Sequence, residues 1–195
     1  MKKWMYLIGT SFLLVGCNNE APDVNESPVD EGGGASEEEQ SMDAKPDLRS
    51  EEIKVDWKQA VGIFKEHFQA DDITDIELDN DFSVLYYNIQ GTDQVNEYEL
   101  EIDANTEEIL KEEQETLDQE DLNELASEIL DLENILNPEE LLQIVADDTD
   151  GQIEGWQLFK ENNMEIFEVE VKETSGEDMD YILDATNGEI LRKED

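Results

Sequence analysis

The stretch DANTEEILKEE (residues 103–113) is matched 81 residues later by DATNGEILRKE (residues 184–194). Both stretches open with Asp-Ala and share a later Glu-Ile-Leu. The same offset aligns Ile102 with Leu183, and far upstream it aligns Phe64 with Val145. Because the match extends beyond one motif, it indicates two copies of a small domain.

Each copy opens with a predicted helix. Asp56 is placed to cap the first helix, and Asn137 caps the second with Pro138 at the first helical position. Alternating apolar and polar residues then predict three antiparallel strands, followed by a short fourth segment, EEIL or GEIL. The predicted fold class is α+β, with two small units that each pack a helix on a three- to four-stranded antiparallel sheet.

The ends of the third predicted strands carry a polar turn motif. The carboxylates of Asp103 and Asp184 are placed to accept backbone N–H groups two or three residues ahead, as in an Asx-type turn. Thr106 and Thr186 can support the same turn, and Gly188 follows in the second copy. This pattern favours a structural role over a ligand-binding role.

The helix followed by a strand meander, together with the ending DATNGEIL, resembles the PepSY domain family, first described in the propeptides of thermolysin-like metallopeptidases. Members often end in an Asp, two residues, then Thr-Gly and an aliphatic strand. Here Asn187 separates Thr186 from Gly188. The resemblance covers roughly residues 53–112 and 136–193. It implies a non-catalytic domain that inhibits or chaperones a secreted peptidase.

The first 17 residues, MKKWMYLIGTSFLLVGC, have the layout of a secretory signal, with two lysines before a short apolar run. The end of the run resembles a bacterial lipobox, in which cleavage follows Gly16 and Cys17 receives diacylglycerol. We therefore expect a signal peptide over 1–16 and a lipidated Cys17 that anchors the chain to the extracytoplasmic face of the cell membrane. Residues 17–52 then form a disordered acidic tether.

The remaining chain divides into a first PepSY domain (53–112), a linker (113–135) and a second PepSY domain (136–195). Apolar residues in and just after the linker recur at alternating spacings of three and four. This periodicity predicts an acidic amphipathic helix that joins the two units, with a coiled-coil dimer as the weaker alternative. The apolar residues of the stripe are Leu122, Leu125, Ile129, Leu132 and Leu136.

The charge of the chain excludes several functions. With 55 acidic and 12 basic residues, the formal net charge is −43, which opposes binding to nucleic acid. His67 is the single histidine and Cys17 the single cysteine, so a catalytic triad and a zinc site of the usual kind are not expected. No cofactor and no catalytic residue are predicted.

The segment ADDTDGQIEGWQ (residues 146–157) partly resembles a calcium-binding loop through Asp148, Asp150 and Gly151. It has Ala146 at the first ligand position and Gln157 at the twelfth, where calcium loops carry carboxylates. We interpret it as a helix end and a turn. Weak, nonspecific binding of divalent cations to the acidic surface is expected instead.

Two functional hypotheses remain open, and a carboxylate hydrolase ranks below both. The first is a non-catalytic binding or regulatory module that modulates a secreted or cell-surface peptidase. Exposed sheet edges could accept an extended peptide in that case. The alternative is a structural or cation-handling protein of the cell envelope, in which the acidic surface is the active feature.

Overall fold

The computed structural model describes residues 45–81, 84–118, 121 and 125–195, which form two helices and eight strands. The first copy contains α1 (Trp57–Phe68), β1 (Asp72–Asp81), β2 (Val84–Thr92), β3 (Asn96–Asp103) and β4 (Ile109–Thr116). The second copy contains α2 (Pro138–Asp148), β5 (Gln152–Glu161), β6 (Met164–Lys172), β7 (Asp178–Asp184) and β8 (Ile190–Glu194).

All eight strands belong to one antiparallel sheet, in the order β4-β3-β2-β1-β5-β6-β7-β8. The fold class is α+β, as predicted, but the two separate sheets of the prediction are wrong. The first strands of the two copies, β1 and β5, pair with each other and join the units. Joining the units removes two of the four sheet edges that separate units would expose.

The junction of β1 and β5 relates the two copies by an approximate twofold axis. Glu77 lies opposite Gln157, and each is the sixth residue of its strand. The hydrogen-bonding register with the following strand also shifts at the same place in each copy, after Ile73 in β1 and after Ile153 in β5. The repeat seen in the sequence is therefore a repeat in backbone geometry.

Both helices contribute to one continuous hydrophobic core with the inward side chains of the sheet. In the first copy Phe64 of α1 is buried against Gly91 of β2, because a Cβ at Gly91 would lie 2.9 Å from the Phe64 ring. The equivalent positions in the second copy are Val145 and Val171, which are both buried. Neither helix of the described ranges is long and apolar enough to cross a membrane.

The linker differs from the predicted amphipathic helix. Residues 113–116 extend β4, and residues 126–136 form turns and irregular backbone, while the described residues 121 and 125 are helical. Leu125 and Leu130 are buried, and the Leu130 N–H donates to Ile73 O at 2.8 Å. Leu130, Leu132 and Leu136 pack in or against the core between the helices and the sheet.

The last residues of the predicted tether also pack on the folded body. Leu48 is buried, and its N–H donates to Ile153 O at 2.9 Å. The expectation of disorder is therefore wrong for residues 45–52, which we call the arm. Signal cleavage after Gly16, lipidation of Cys17 and the tether up to residue 44 lie outside the described residues.

Candidate functional site: an acidic sheet face and two strand edges

The face of the sheet opposite the helices carries rows of carboxylates. On β1, Ile76 and Leu78 point into the core, so Asp75, Glu77 and Asp79 lie on the opposite, open face. The same alternation puts two to three acids on the open face of β3, β4 and β6. These acids are Glu97, Glu99, Glu101, Glu113, Glu115, Glu168 and Glu170.

Crowding of these acids near the twofold axis changes their protonation. Burial, with the charges of Asp79 and Glu170, raises the pKa of Glu77 to about 7. Burial, with the charges of Asp180 and Glu170, raises the pKa of Glu168 to about 7 as well. The open face therefore holds protons near neutral pH. Within the described ranges, however, no three acidic or histidine side chains are arranged to hold a metal ion.

The arm supplies one positive charge to this face. The Lys45 Nζ donates to Asp79 Oδ1 at 2.6 Å and to Glu170 Oε2 at 3.2 Å. Burial lowers the pKa of Lys45, but the hydrogen bonds and charges of the two acids raise it overall. A Cβ at Gly155 would lie 3.4 Å from Glu170 Oε2 and 3.6 Å from Asp79 Oδ1, so this glycine leaves room beside both acceptors.

The sheet ends at two edge strands, β4 and β8. Seven of the eight residues of β4 are exposed. At the end of the β3–β4 ladder, the Leu117 N–H donates to Val95 O at 2.9 Å, and antiparallel pairs alternate between bonded and non-bonded. Glu113 and Glu115 therefore belong to hydrogen-bonded pairs with β3. The alternate residues of β4 direct their N–H and C=O groups away from β3. These residues are Glu112, Gln114 and Thr116.

The other edge, β8, is shorter and carries two cationic side chains. It has five residues, and its two cations are already paired within the protein. Arg192 contacts Glu194 at 2.8 Å and Glu161 at 3.4 Å, and Lys193 pairs with Asp148. The two edges are topologically equivalent, but β4 is the longer and the more acidic.

The turn motif of the first copy is built around Asp103. Its Oδ1 accepts the N–H groups of Asn105 at 2.8 Å and Thr106 at 2.9 Å. The buried Ala104 then donates to Leu85 O and accepts from Val55, in the segment that enters α1. The turn thus ties the end of β3 to the start of the helix.

The second copy repeats this turn at Asp184. The N–H and hydroxyl of Thr186 both donate to Asp184 Oδ1, at 2.8 and 2.6 Å. The Thr186 hydroxyl, with further hydrogen bonds from the Thr186 N–H and Asn187, lowers the pKa of Asp184. Gly188 takes a left-handed φ of 77°, and the Leu136 N–H donates to Ala185 O just before α2. The two turns each hold a helix and the sheet together.

His67 and the calcium-like segment have structural partners of their own. His67 Nε2 lies 2.7 Å from Glu112 Oε2, which connects the end of α1 to β4. In the calcium-like segment, α2 ends at Asp148, and the Gly151 N–H donates to the Thr149 hydroxyl at 2.9 Å. The segment is therefore a helix end, a short connection and the first residues of β5.

Sequence reasoning did not identify Lys45, Glu77 or the outward backbone groups of β4. Strand alternation could have placed Glu77 on an exposed face, but its burial depends on how β1 pairs with β5. Lys45 lies in a stretch of tether composition, and its two partners are 34 and 125 residues away. These features arise from tertiary structure alone.

Comparison with known proteins agrees with this architecture. Residues 54–113 and 135–194 each match the family model PepSY, described as "Peptidase propeptide and YPEB domain". These matches cover more than half of the chain, and the chain belongs to the PepSY family. The match is to a propeptide-type regulatory domain and not to a catalytic one.

A solved structure gives an independent comparison. The chain is similar to the crystal structure of a candidate lipoprotein from Clostridium difficile 630, with 32% sequence identity and a TM-score of 0.71. The match covers 76% of this chain and 97% of that protein. The comparison with curated proteins found no match.

Proposed function

We propose that the protein is a lipid-anchored, extracytoplasmic module that binds and regulates a secreted or cell-surface peptidase and has no catalytic activity of its own. One observation carries the proposal: two propeptide-type domains are fused into a single sheet, and within the described residues its end strands β4 and β8 pair with no further strand. An uncovered edge can accept an extended segment of a partner through backbone hydrogen bonds. The propeptide relationship supports a peptidase as that partner.

Site-specific photocrosslinking in intact cells tests the proposal. A photoreactive residue at position 114 of β4 should capture a partner, whereas one at the exposed Glu66 of α1 should not. The captured protein, once purified, should show peptidase activity that changes when this protein is added. Equal capture at both positions would contradict edge binding, and a partner without peptidase activity would contradict regulation of a peptidase.

The anchor is proposed from Cys17 and the apolar run before it, and the relationship to a candidate lipoprotein supports it. We expect Cys17→Ala to abolish incorporation of a fatty-acid label and to remove the protein from the membrane fraction. A labelled membrane band of unchanged intensity in the variant would contradict lipidation at this residue.

A cation-handling envelope protein is the second candidate, favoured by the two carboxylates with pKa values of about 7 on the open face. If the face only screens charge, sodium and calcium chloride should both raise the unfolding midpoint gradually. A steep rise at low calcium that then levels off would favour the second candidate. Its loss in Asp184→Asn would place the calcium at the second turn.

A further inference from the structure

The open face of the β3–β4 edge carries more negative charge than the protein neutralises. Five glutamates lie there, two of them on β4, and three of the five share Lys111, whose Nζ lies 2.9 Å from Glu99, 3.2 Å from Glu113 and 3.5 Å from Glu101. Glu97 lies opposite Glu115. Burial and the charges of Glu128 and Glu115 raise the pKa of Glu97. An added positive charge would therefore be favoured at this edge.

The backbone of β4 defines how a partner would lie. Glu112, Gln114 and Thr116 direct their N–H and C=O groups outward, so an added strand would bond to these residues. Every second side chain of that strand would then lie on the open face beside Glu113 and Glu115. The intervening side chains would lie on the helix side, next to Glu112 and Gln114, and the exposed Leu110 lies at the start of the same strand.

A second copy of this chain is a poor occupant of the edge. Pairing two β4 strands would bring the glutamates of one copy against those of the other, and like charges directly opposite destabilise strand pairs. A strand with Lys or Arg at every second position would instead place each cation next to a glutamate. Charge therefore selects a cationic partner over self-association.

We propose that the β4 edge binds an extended cationic segment of the partner, with Lys or Arg on the open face and β-branched or apolar residues on the helix side. This inference rests on the proposed function and specifies which of the two edges is used. The β8 edge fits such a segment less well, because it has five residues against the eight of β4 and carries one open-face glutamate, Glu194, against two on β4.

Binding of synthetic peptides to the purified full chain tests the inference. The probe is a capped peptide Thr-Val-Lys-Val-Lys-Val-Lys-Thr, compared with peptides that carry Thr or Glu in place of each Lys. At low salt the lysine peptide should bind at least about tenfold more tightly than the threonine peptide, and salt should weaken it. The glutamate peptide should show no binding.

Two pairs of variants locate the site. Glu113→Lys/Glu115→Lys should weaken binding of the lysine peptide by about tenfold or more, whereas Glu51→Lys/Glu66→Lys, with the same net charge, should weaken it less than about threefold. Gln114→Pro removes one outward N–H and should abolish binding, since proline is tolerated at the solvent side of an edge strand. Gln114→Ala keeps the N–H and should bind normally.

The outcomes separate this inference from the proposed function. If the threonine peptide binds as tightly as the lysine peptide and Gln114→Pro abolishes its binding, the edge is used but the cationic preference is overturned. If the lysine peptide binds equally to both charge-reversed variants, the location on β4 is overturned. If peptide binding behaves as expected but the crosslinked partner in cells is not a peptidase, only the proposed function fails.

Discussion

The two copies fill the same space between helix and sheet in different ways. In the first copy a large side chain on the helix, Phe64, meets a strand position without a side chain, Gly91. In the second copy both positions hold a medium-sized residue, Val145 and Val171. Since interiors are packed at a fixed density, volume removed from one layer has to be supplied by the other.

The centre of the sheet shows a second difference between the copies. Glu77 and Gln157 occupy equivalent positions on either side of the twofold axis, but only the first is an acid. Two residues along, Asp75 corresponds to Gly155, and Lys45 reaches acceptors beside the glycine. The two copies therefore share a backbone but carry different charges at equivalent positions. Lys45 of the arm adds a positive charge beside Gly155.

The largest effect is expected for Gly91→Val, which gives the first copy the strand residue of the second. A Cβ at this position would lie 2.5 Å from Asp72 O and 2.9 Å from the Phe64 ring. We expect a loss of about 3 kcal/mol or more in the free energy of unfolding, measured by urea denaturation.

A double-mutant cycle sharpens this prediction. Phe64→Val removes the ring that the new side chain meets, so the double variant should be more stable than the sum of the single effects by at least about 1 kcal/mol. Strict additivity would show that the two positions are not coupled, and the packing comparison would then be wrong.

Gly188→Ala should have the next largest effect. Gly188 has a φ of 77°, and an added Cβ would clash with Ile144 Cδ1. The left-handed backbone costs about 1–2 kcal/mol for alanine, and the end of the Ile144 side chain can move aside at further cost. A loss of about 2 kcal/mol is expected in thermal and urea unfolding. An unchanged midpoint would contradict the turn geometry.

Glu77→Gln makes the centre of the sheet symmetric and should stabilise the protein at high pH by about 1 kcal/mol. The folded-state pKa of Glu77 is about 7, above the ordinary 4.5. Its contribution to stability is therefore complete below pH 4.5 and is lost as the pH rises through 7. The wild type should lose stability over this window more steeply than the variant. Parallel pH profiles would contradict the assignment.

The smallest effect is expected for Glu107→Gly, at the position equivalent to Gly188. Glu107 already has a φ of 64°, so glycine would relieve a left-handed residue. It would also increase the entropy of the unfolded chain, and the Gln59 hydrogen bond to Glu107 would be lost. The net change should be within about 0.5 kcal/mol. A loss as large as that of Gly188→Ala would mean that the two turns are not equivalent.

Local features of the fold could be predicted from the sequence. Helix capping at Asp56, the order of elements and the polar turn after Asp103 depend on residues close together in the chain, and the structure contains them. The repeat also predicted two units. For the cap and the turn the deciding interactions span a few residues, so pattern and turn chemistry are sufficient.

Features that depend on distant contacts could not be predicted. The apolar residues of the linker recur at helical spacing, but the Leu130 N–H donates to Ile73 O of β1. The arm has the composition of a tether, yet Leu48 enters the core and Lys45 finds two acids on the sheet. The pairing of β1 with β5 likewise has no signature in the local sequence of either strand. Lipidation of Cys17 stays a prediction.

Amide hydrogen exchange tests the central claim most directly, because it compares the two edges in one experiment. The purified protein is measured alone and with the partner captured by crosslinking at position 114. We predict slowed exchange at Glu112, Gln114 and Thr116 of β4 and unchanged exchange along β8. Protection confined to the helices or to β8, with β4 unchanged, would contradict it.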